Sequence, residues 1–241
     1  MARDEGDGEA AQAALMQIYR ERWPALVDAL GAAVRDRGLS KPQLVDLNAF
    51  GGSYWRASVR LFVVGQQTNG WDDKIPWDPD PSRAVPPLLQ MYADFELGRS
   101  YWWTAFWAGS HCLCRQLSPD GPANGFVWSN LVKVDKGGRR PGRDIEDVVC
   151  SEFGVLPEEI RLARPDVVVF FTGPYYDDRL RATFSGCEFV EVSGWPDRRL
   201  ATLKHRGLPA RSYRTYHPGA MPRREELRPL IDEVVRLAGG T

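Results

Sequence analysis

The sequence predicts an α/β fold built on a mostly parallel sheet. Short runs of β-branched and apolar residues, above all residues 59–64 and 167–172, alternate with longer segments of helical periodicity. These runs are apolar throughout, as in strands that helices cover on both faces. Ligands of such sheets bind at the carboxyl ends of the strands, so a functional site is expected at that edge.

The individual elements follow from periodicity and from the positions of Gly and Pro. Apolar residues such as Leu15, Tyr19 and Leu26 recur at helical spacing in residues 9–37, which predict the first helix. The other predicted helices are the end of the aromatic segment 92–117, residues 145–164 with an interruption at Gly154 and Pro157, the segment after Gly173 as far as Phe184, and residues 223–237. The predicted strands are residues 59–64, 125–134, 167–172, 189–192, 200–204 and 211–216. Residues 70–87, rich in Pro, Asp and Trp, predict a long irregular loop.

Length and composition bound the class of protein. A chain of 241 residues, 43% hydrophobic and 26% charged, suits an N-terminal extension and helix (residues 1–45) followed by one α/β domain (residues 46–241). Its four cysteines have no paired CxxC spacing and it has only three histidines, so neither a zinc site nor a disulfide framework is expected. Without a long apolar run or a leader-like N-terminus, we expect a cytoplasmic monomer that contacts no membrane and needs no cofactor.

Basic residues are concentrated in two stretches although the formal net charge is only −1. Residues 133–143 and 198–228 each carry a clear excess of Lys and Arg over acids. Local patches of this kind are typical of phosphate-binding surfaces, and they are equally typical of solvated loops.

Polar clusters lie at the carboxyl ends of three of the predicted strands, one of them within the run 125–134. They are the segment GQQTNG at residues 65–70, Ser129-Asn130, and His217-Pro218-Gly219. Each alone is also typical of an ordinary turn, so the argument depends on their combination and order.

In this order the segments resemble motifs of the uracil-DNA glycosylase superfamily. The segments are LFVVGQ at residues 61–66, WSNLVK at 128–133, RPDVVV at 164–169 and YHPG at 216–219, and the resemblance spans about residues 59–237. It implies a three-layer α/β/α sandwich around a central, mainly parallel four-stranded sheet. It also implies a DNA glycosylase, which flips a nucleotide out of the duplex and hydrolyses its N-glycosidic bond to leave an abasic site.

The resemblance assigns roles to particular residues. His217 would donate a hydrogen bond to the departing base, and Asn130 would read the edge of the flipped pyrimidine. The base would also contact Gly65, Gln66, Thr68 and a stacking aromatic residue, for which Tyr101 and Trp71 are candidates beside Trp102 and Trp103. Met221 would fill the gap left by the flipped base, and the residues expected to contact DNA phosphates are Arg223, Arg224, Lys133, Arg139 and Arg140.

The loop departs from the family at the catalytic acid, because Gln67 stands where the family has an aspartate general base. Glutamine cannot take a proton near pH 7, but it can orient a water molecule. Asn69 is an alternative for orienting the water, and Asp72 or Asp73 could supply a carboxylate from a new place. The sequence leaves these alternatives open.

A second departure concerns the base. The family's Pro-Tyr pair, whose ring blocks groups at C5 of the pyrimidine, is replaced by Thr68-Asn69. The replacement favours a substrate with a polar group at C5, such as hydroxymethylated or glucosylated cytosine, which an antiphage glycosylase of this superfamily removes from phage DNA.

Two further classes of protein compete with this interpretation. Because no acid follows Gly65-Gln66, the chain could be a DNA- or nucleotide-binding protein that shares the fold without turnover. An unrelated α/β enzyme is disfavoured, since the sequence has no Gly-x-Ser-x-Gly, Walker or Gly-x-Gly-x-x-Gly motif.

Cys112 and Cys114 are too close together for the family's iron–sulfur cluster, so none is expected.

Overall fold

The computed structural model describes residues 5–71, 77–220 and 224–239, which form an α/β fold around a mixed sheet. The strands are β1 (Leu61–Gln67), β2 (Phe126–Val132), β3 (Val167–Phe170), β4 (Glu188–Glu191), β5 (Leu200–Lys204) and β6 (Arg211–Thr215). The α-helices are α1 (Glu5–Arg37), α2 (Ala49–Arg56), α3 (Pro81–Asp94), α4 (Ala105–Leu117), α5 (Arg143–Glu152), α6 (Leu156–Ala163), α7 (Asp177–Thr183) and α8 (Arg224–Leu237).

Within the described residues the sheet has six strands in the order β2-β1-β3-β6-β5-β4. The first four are mutually parallel, whereas β5 is antiparallel to β6 and β4 is antiparallel to β5. The expected four-stranded sheet is therefore corrected to a six-stranded mixed one. The short connection between β5 and β6, residues 205–210, explains the difference, because a link of this length joins neighbouring strands only as a hairpin.

Helices pack against both faces of the sheet around β2. Trp128 packs against Trp107 of α4, with ring centroids 4.8 Å apart. The next residue, Ser129, donates a hydrogen bond to Glu159 of α6 at 2.7 Å. Because successive side chains of a strand point to opposite faces, α4 and α6 cover opposite sides of the sheet.

The N-terminal helix α1 belongs to the same hydrophobic core as the strands. Its Leu15, Tyr19, Trp23 and Leu26 are buried at helical spacing. The Tyr19 hydroxyl donates to Glu159 at 2.7 Å and accepts from the backbone N–H of Val45 at 3.0 Å. These bonds fix both α1 and the segment after it to the sheet.

The predicted loop over residues 70–87 is wrong in its second half, because α3 begins at Pro81. Asp80 caps this helix by accepting the backbone N–H of Ser82 at 2.9 Å, and proline at the first helical position has no N–H to leave unpaired. The sequence contained both signals, but the Pro-rich composition outweighed them. Among the described helices, none is long and apolar enough to cross a membrane.

Candidate functional site

Gly65, Asn130 and His217 lie at the same edge of the sheet, the carboxyl ends of the parallel strands. Gly65 of β1 is the direct neighbour of Asn130 on β2, and His217 follows the end of β6. The ring of Phe106, in the first turn of α4, connects them. Its Cε2 lies 3.5 Å from the position that a Cβ on Gly65 would occupy, and its centroid is 5.4 Å from that of His217.

Asn130 is held in one orientation by a buried glutamine. Its side-chain Nδ2 donates to Oε1 of Gln43 at 2.9 Å, and Nε2 of Gln43 donates to the backbone oxygen of Trp128 at 3.1 Å. The other pole of the amide, Oδ1, lies 2.4 Å from where a Cβ on Gly65 would be. A side chain at residue 65 would therefore collide with Asn130, whose amide is held in place by Gln43.

His217 is neutral near pH 7, because burial lowers the pKa of its imidazole to about 4. Nδ1 of His217 accepts the backbone N–H of Gly219 at 3.1 Å, so the single ring proton must lie on Nε2. No described residue accepts a hydrogen bond from that Nε2–H. The imidazole is thus a neutral donor whose N–H has no acceptor within the described part of the chain.

Phe106 is the aromatic residue beside this donor, and sequence reasoning missed it. Its ring is stacked on His217 at an interplanar angle of 14°. Among the expected stacking residues, Trp71 is buried with its edge against Trp128, and Tyr101 stacks on Phe95 instead. Phe106 is the second residue of α4, the helix at the end of the aromatic segment 92–117, a position that could have indicated it.

Gln67, at the place of the expected general base, is tied to a tyrosine. The hydroxyl of Tyr176 donates to Oε1 of Gln67, and burial raises the pKa of Tyr176 to about 12, so the phenol keeps its proton. The guanidinium of Arg140 lies 4.1 Å above the Tyr176 ring and pairs with Glu146. These contacts fix Gln67 in place and leave one lone pair of its carbonyl for a water molecule.

Gln66 points to the opposite face, as the alternation of β1 requires. Its Nε2 donates to the backbone oxygen of Thr172 at 2.8 Å. A backbone oxygen can only accept, so the orientation of this amide is fixed, and Oε1 of Gln66 is the atom that can accept a further hydrogen bond.

The loop that follows Gln67 is anchored by Asp135. This buried carboxylate accepts the backbone N–H of Gly70 at 2.9 Å and that of Gly138 at 2.6 Å. Thr68 is buried too, and its hydroxyl shares a 3.0 Å hydrogen bond with Ser40. Of the pair expected at C5 of the base, only Asn69 is therefore exposed.

The candidates for DNA contact are placed differently from one another. Lys133, expected at the surface, is only 2% exposed and pairs with Glu159 at 2.6 Å, so it cannot reach a phosphate. The basic composition of residues 133–143 could not reveal this, because the burial of Lys133 depends on its packing against Glu159 of α6. Arg139 and Arg140 are exposed near the sheet edge.

The other expected residues are only partly covered by the structure. Arg224 is the first residue of α8, whereas Asp72, Asp73, Met221 and Arg223 lie outside the described residues.

Large aromatic side chains are also exposed in the described part of the chain. Trp102 and Trp103, just before α4, are 67% and 54% exposed, and Tyr175, after β3, is 72% exposed. The guanidinium of Arg198 lies 5.7 Å from the Tyr175 ring. Sequence reasoning missed Tyr175, although its position after a strand-ending Gly-Pro was a usable signal.

No group of three or more metal-ligating side chains occurs in the described part of the chain, and its four cysteines are free thiols. Comparison of the sequence with protein-family models and with curated proteins gives no match.

Proposed function

We propose that the protein is a DNA glycosylase that hydrolyses the N-glycosidic bond of a flipped pyrimidine nucleotide. The observation that carries the proposal is the neutral His217, whose Nε2–H has no acceptor among the described residues and lies across Phe106 from Asn130 and Gly65. A fixed neutral donor, an amide and an aromatic face are the three groups that hold a planar base and stabilise it as it leaves.

The proposed reaction needs no cofactor. The C1′–N bond breaks with its electron pair moving to the base, and negative charge grows on a base oxygen that accepts the His217 Nε2–H. Water adds to C1′; one of its protons is lost to solvent, and the base regains a proton when it is released. Gln67 orients this water through the lone pair that Tyr176 leaves free.

DNA would approach over the exposed Tyr175. Stacking on this ring and phosphate contacts from Arg139 and Arg198 would hold a distorted strand at the sheet edge. In this proposal the fold is a three-layer α/β/α sandwich, and the base occupies the carboxyl edge of its sheet.

The preferred base in this proposal carries a polar group at C5. Support comes from Asn69, the exposed residue that replaces an aromatic ring in the family's motif. The test measures base release from duplexes that contain uracil, a thymine mismatch, hydroxymethylcytosine or glucosylated hydroxymethylcytosine. Efficient removal of uracil without removal of the bulky bases would contradict the C5 part of the proposal.

A catalytically silent DNA-binding protein is the second candidate. Gln67 favours it, because no carboxylate stands at that position and its carbonyl is already hydrogen-bonded. Comparison of the wild-type protein with His217→Ala separates the two candidates. Equal DNA binding by both without abasic sites would favour the silent protein, whereas abasic sites from wild type alone would favour the glycosylase.

A further inference from the structure

Gln43 stands outside the segments that resemble a known family, yet it contacts the base-reading amide directly. It lies in the connection between α1 and α2 and is completely buried. Its own backbone N–H donates to the backbone oxygen of Lys133 at 3.0 Å, which anchors it to the end of β2. The residue is therefore fixed at both its backbone and its side chain.

The hydrogen bonds allow only one orientation of the two amides. The backbone oxygen of Trp128 can only accept, so Gln43 must turn Nε2 toward it and Oε1 toward Asn130. Oε1 of Gln43 can only accept in turn, so Asn130 must present Nδ2 to it. A flipped amide at either residue would bring two carbonyl oxygens into contact in a buried place.

We propose that Gln43 is a specificity-determining positioning residue, which locks Asn130 with Oδ1 toward Gly65. Gln43 thereby determines whether the site accepts a base with a donor or a base with an acceptor at N3. The inference rests on the proposed function. A freely flipping asparagine could pair with a uracil-type edge, which has a donor at N3, or with a cytosine-type edge, which has an acceptor there. A locked asparagine pairs with only one of them, because the other edge leaves buried polar groups unpaired.

The test is the ratio of single-turnover release rates for a uracil-type and a cytosine-type base, both with the same C5 group and in the same duplex. For the wild type we expect one base to be favoured by about 10-fold or more, the effect of one unpaired buried polar group. Gln43→Met, which has a similar shape but no amide, should bring the ratio close to one. Gln43→Glu should keep the preference while its carboxyl group is protonated, because the O–H then donates to the backbone oxygen of Trp128, as Nε2 does in the wild type, and the other oxygen accepts from Nδ2 of Asn130.

Gln12→Met is the matched control. Gln12 is a half-buried glutamine of α1 that accepts the backbone N–H of Leu47 at 2.8 Å, so its loss perturbs the same region without changing Asn130. The ratio of its release rates for the uracil-type and the cytosine-type base should equal that of the wild type. If Gln43→Met lowers both release rates equally and leaves the ratio unchanged, Gln43 is merely structural and the proposal is overturned.

A second measurement separates this inference from the proposed function. If the wild type releases no base at all, the proposed function fails, and the lock is then tested on the side-chain amide of Asn130 by ¹⁵N NMR. Slow hydrogen exchange of that amide in the wild type and fast exchange in Gln43→Met would support the lock. Equal exchange rates in the two proteins would overturn it.

Discussion

The imidazole of His217 lies nearly parallel to the ring of Phe106, with centroids 5.4 Å apart and planes inclined by 14°. The contact joins the end of β6 to the start of α4, and it places a hydrogen-bond donor beside an aromatic face. Phe106 also approaches Gly65, so a base that enters must stack on this ring or displace it.

Replacing His217 should abolish most of the catalytic rate without weakening DNA binding. His217→Ala removes a donor that is used only as charge develops on the base, and we expect the single-turnover rate to fall roughly 100- to 1000-fold. Titration of a fluorescent duplex should give an unchanged Kd. A rate within a few-fold of wild type would exclude His217 from the reaction.

The depressed pKa of His217 makes stability depend on pH in a defined direction. The imidazole titrates at about 4 in the folded protein and near 6.5 when unfolded, so the unfolded chain binds more protons between these values. Its contribution to the free energy of unfolding should therefore decline as the pH falls from about 6.5 to 4. Urea titrations of wild type and His217→Asn should show this slope only in the wild type, and parallel profiles would contradict the assignment.

Phe106→Ala should weaken binding of the flipped base more than it weakens binding of undamaged DNA. A stacking face contributes about 1–3 kcal/mol per base, so we expect the Kd for a substrate duplex to rise roughly 10- to 100-fold. Phe106→Tyr keeps the face and serves as the control. Equal losses of affinity for substrate and undamaged duplexes would indicate that the ring contributes only to packing within the protein.

Gly65→Ala should inactivate the site and leave the fold intact. The added methyl group would lie 2.4 Å from Oδ1 of Asn130, which must then leave its position beside β1. Gly31→Ala in α1 is the control, since a Cβ there meets nothing within 4 Å and helical alanine is favoured over glycine by up to about 1 kcal/mol. Wild-type activity of Gly65→Ala would contradict the proposed location of the base.

Lys133 should contribute to the free energy of unfolding and should not contribute to DNA binding. Lys133→Met leaves the carboxylate of Glu159 buried without its cation, and such a loss costs about 3–5 kcal/mol. Arg161→Met, which breaks an exposed pair with Glu158, should cost less than about 1 kcal/mol. Urea unfolding of both variants measures the difference, and equal values would contradict the buried pair.

The elements of the fold could largely be predicted from sequence, because continuous apolar runs such as β3 and the periodicity of α1 are local signals. The strand number could not be taken from the resemblance, since β5 and β4 extend the sheet beyond the four parallel strands. α3 was missed because its cap at Asp80 was hidden in a Pro-rich segment.

The candidate site was predictable only where its residues lie at or just beyond the carboxyl ends of strands. Gly65, Asn130 and His217 were found at strand ends, and the structure brings them to one edge of the sheet. Gln43 and Phe106 come from a connection and a helix far away in sequence, so their contacts depend on tertiary packing that no local pattern encodes.

A crystal structure with a duplex that carries a non-hydrolysable 2′-fluoro pyrimidine nucleotide tests the central claim most directly. We predict a base turned out of the helix, with its edge on Asn130, its face on Phe106 and one oxygen about 3 Å from Nε2 of His217. A base that stays stacked in the duplex, or one bound away from these three side chains, would contradict the account.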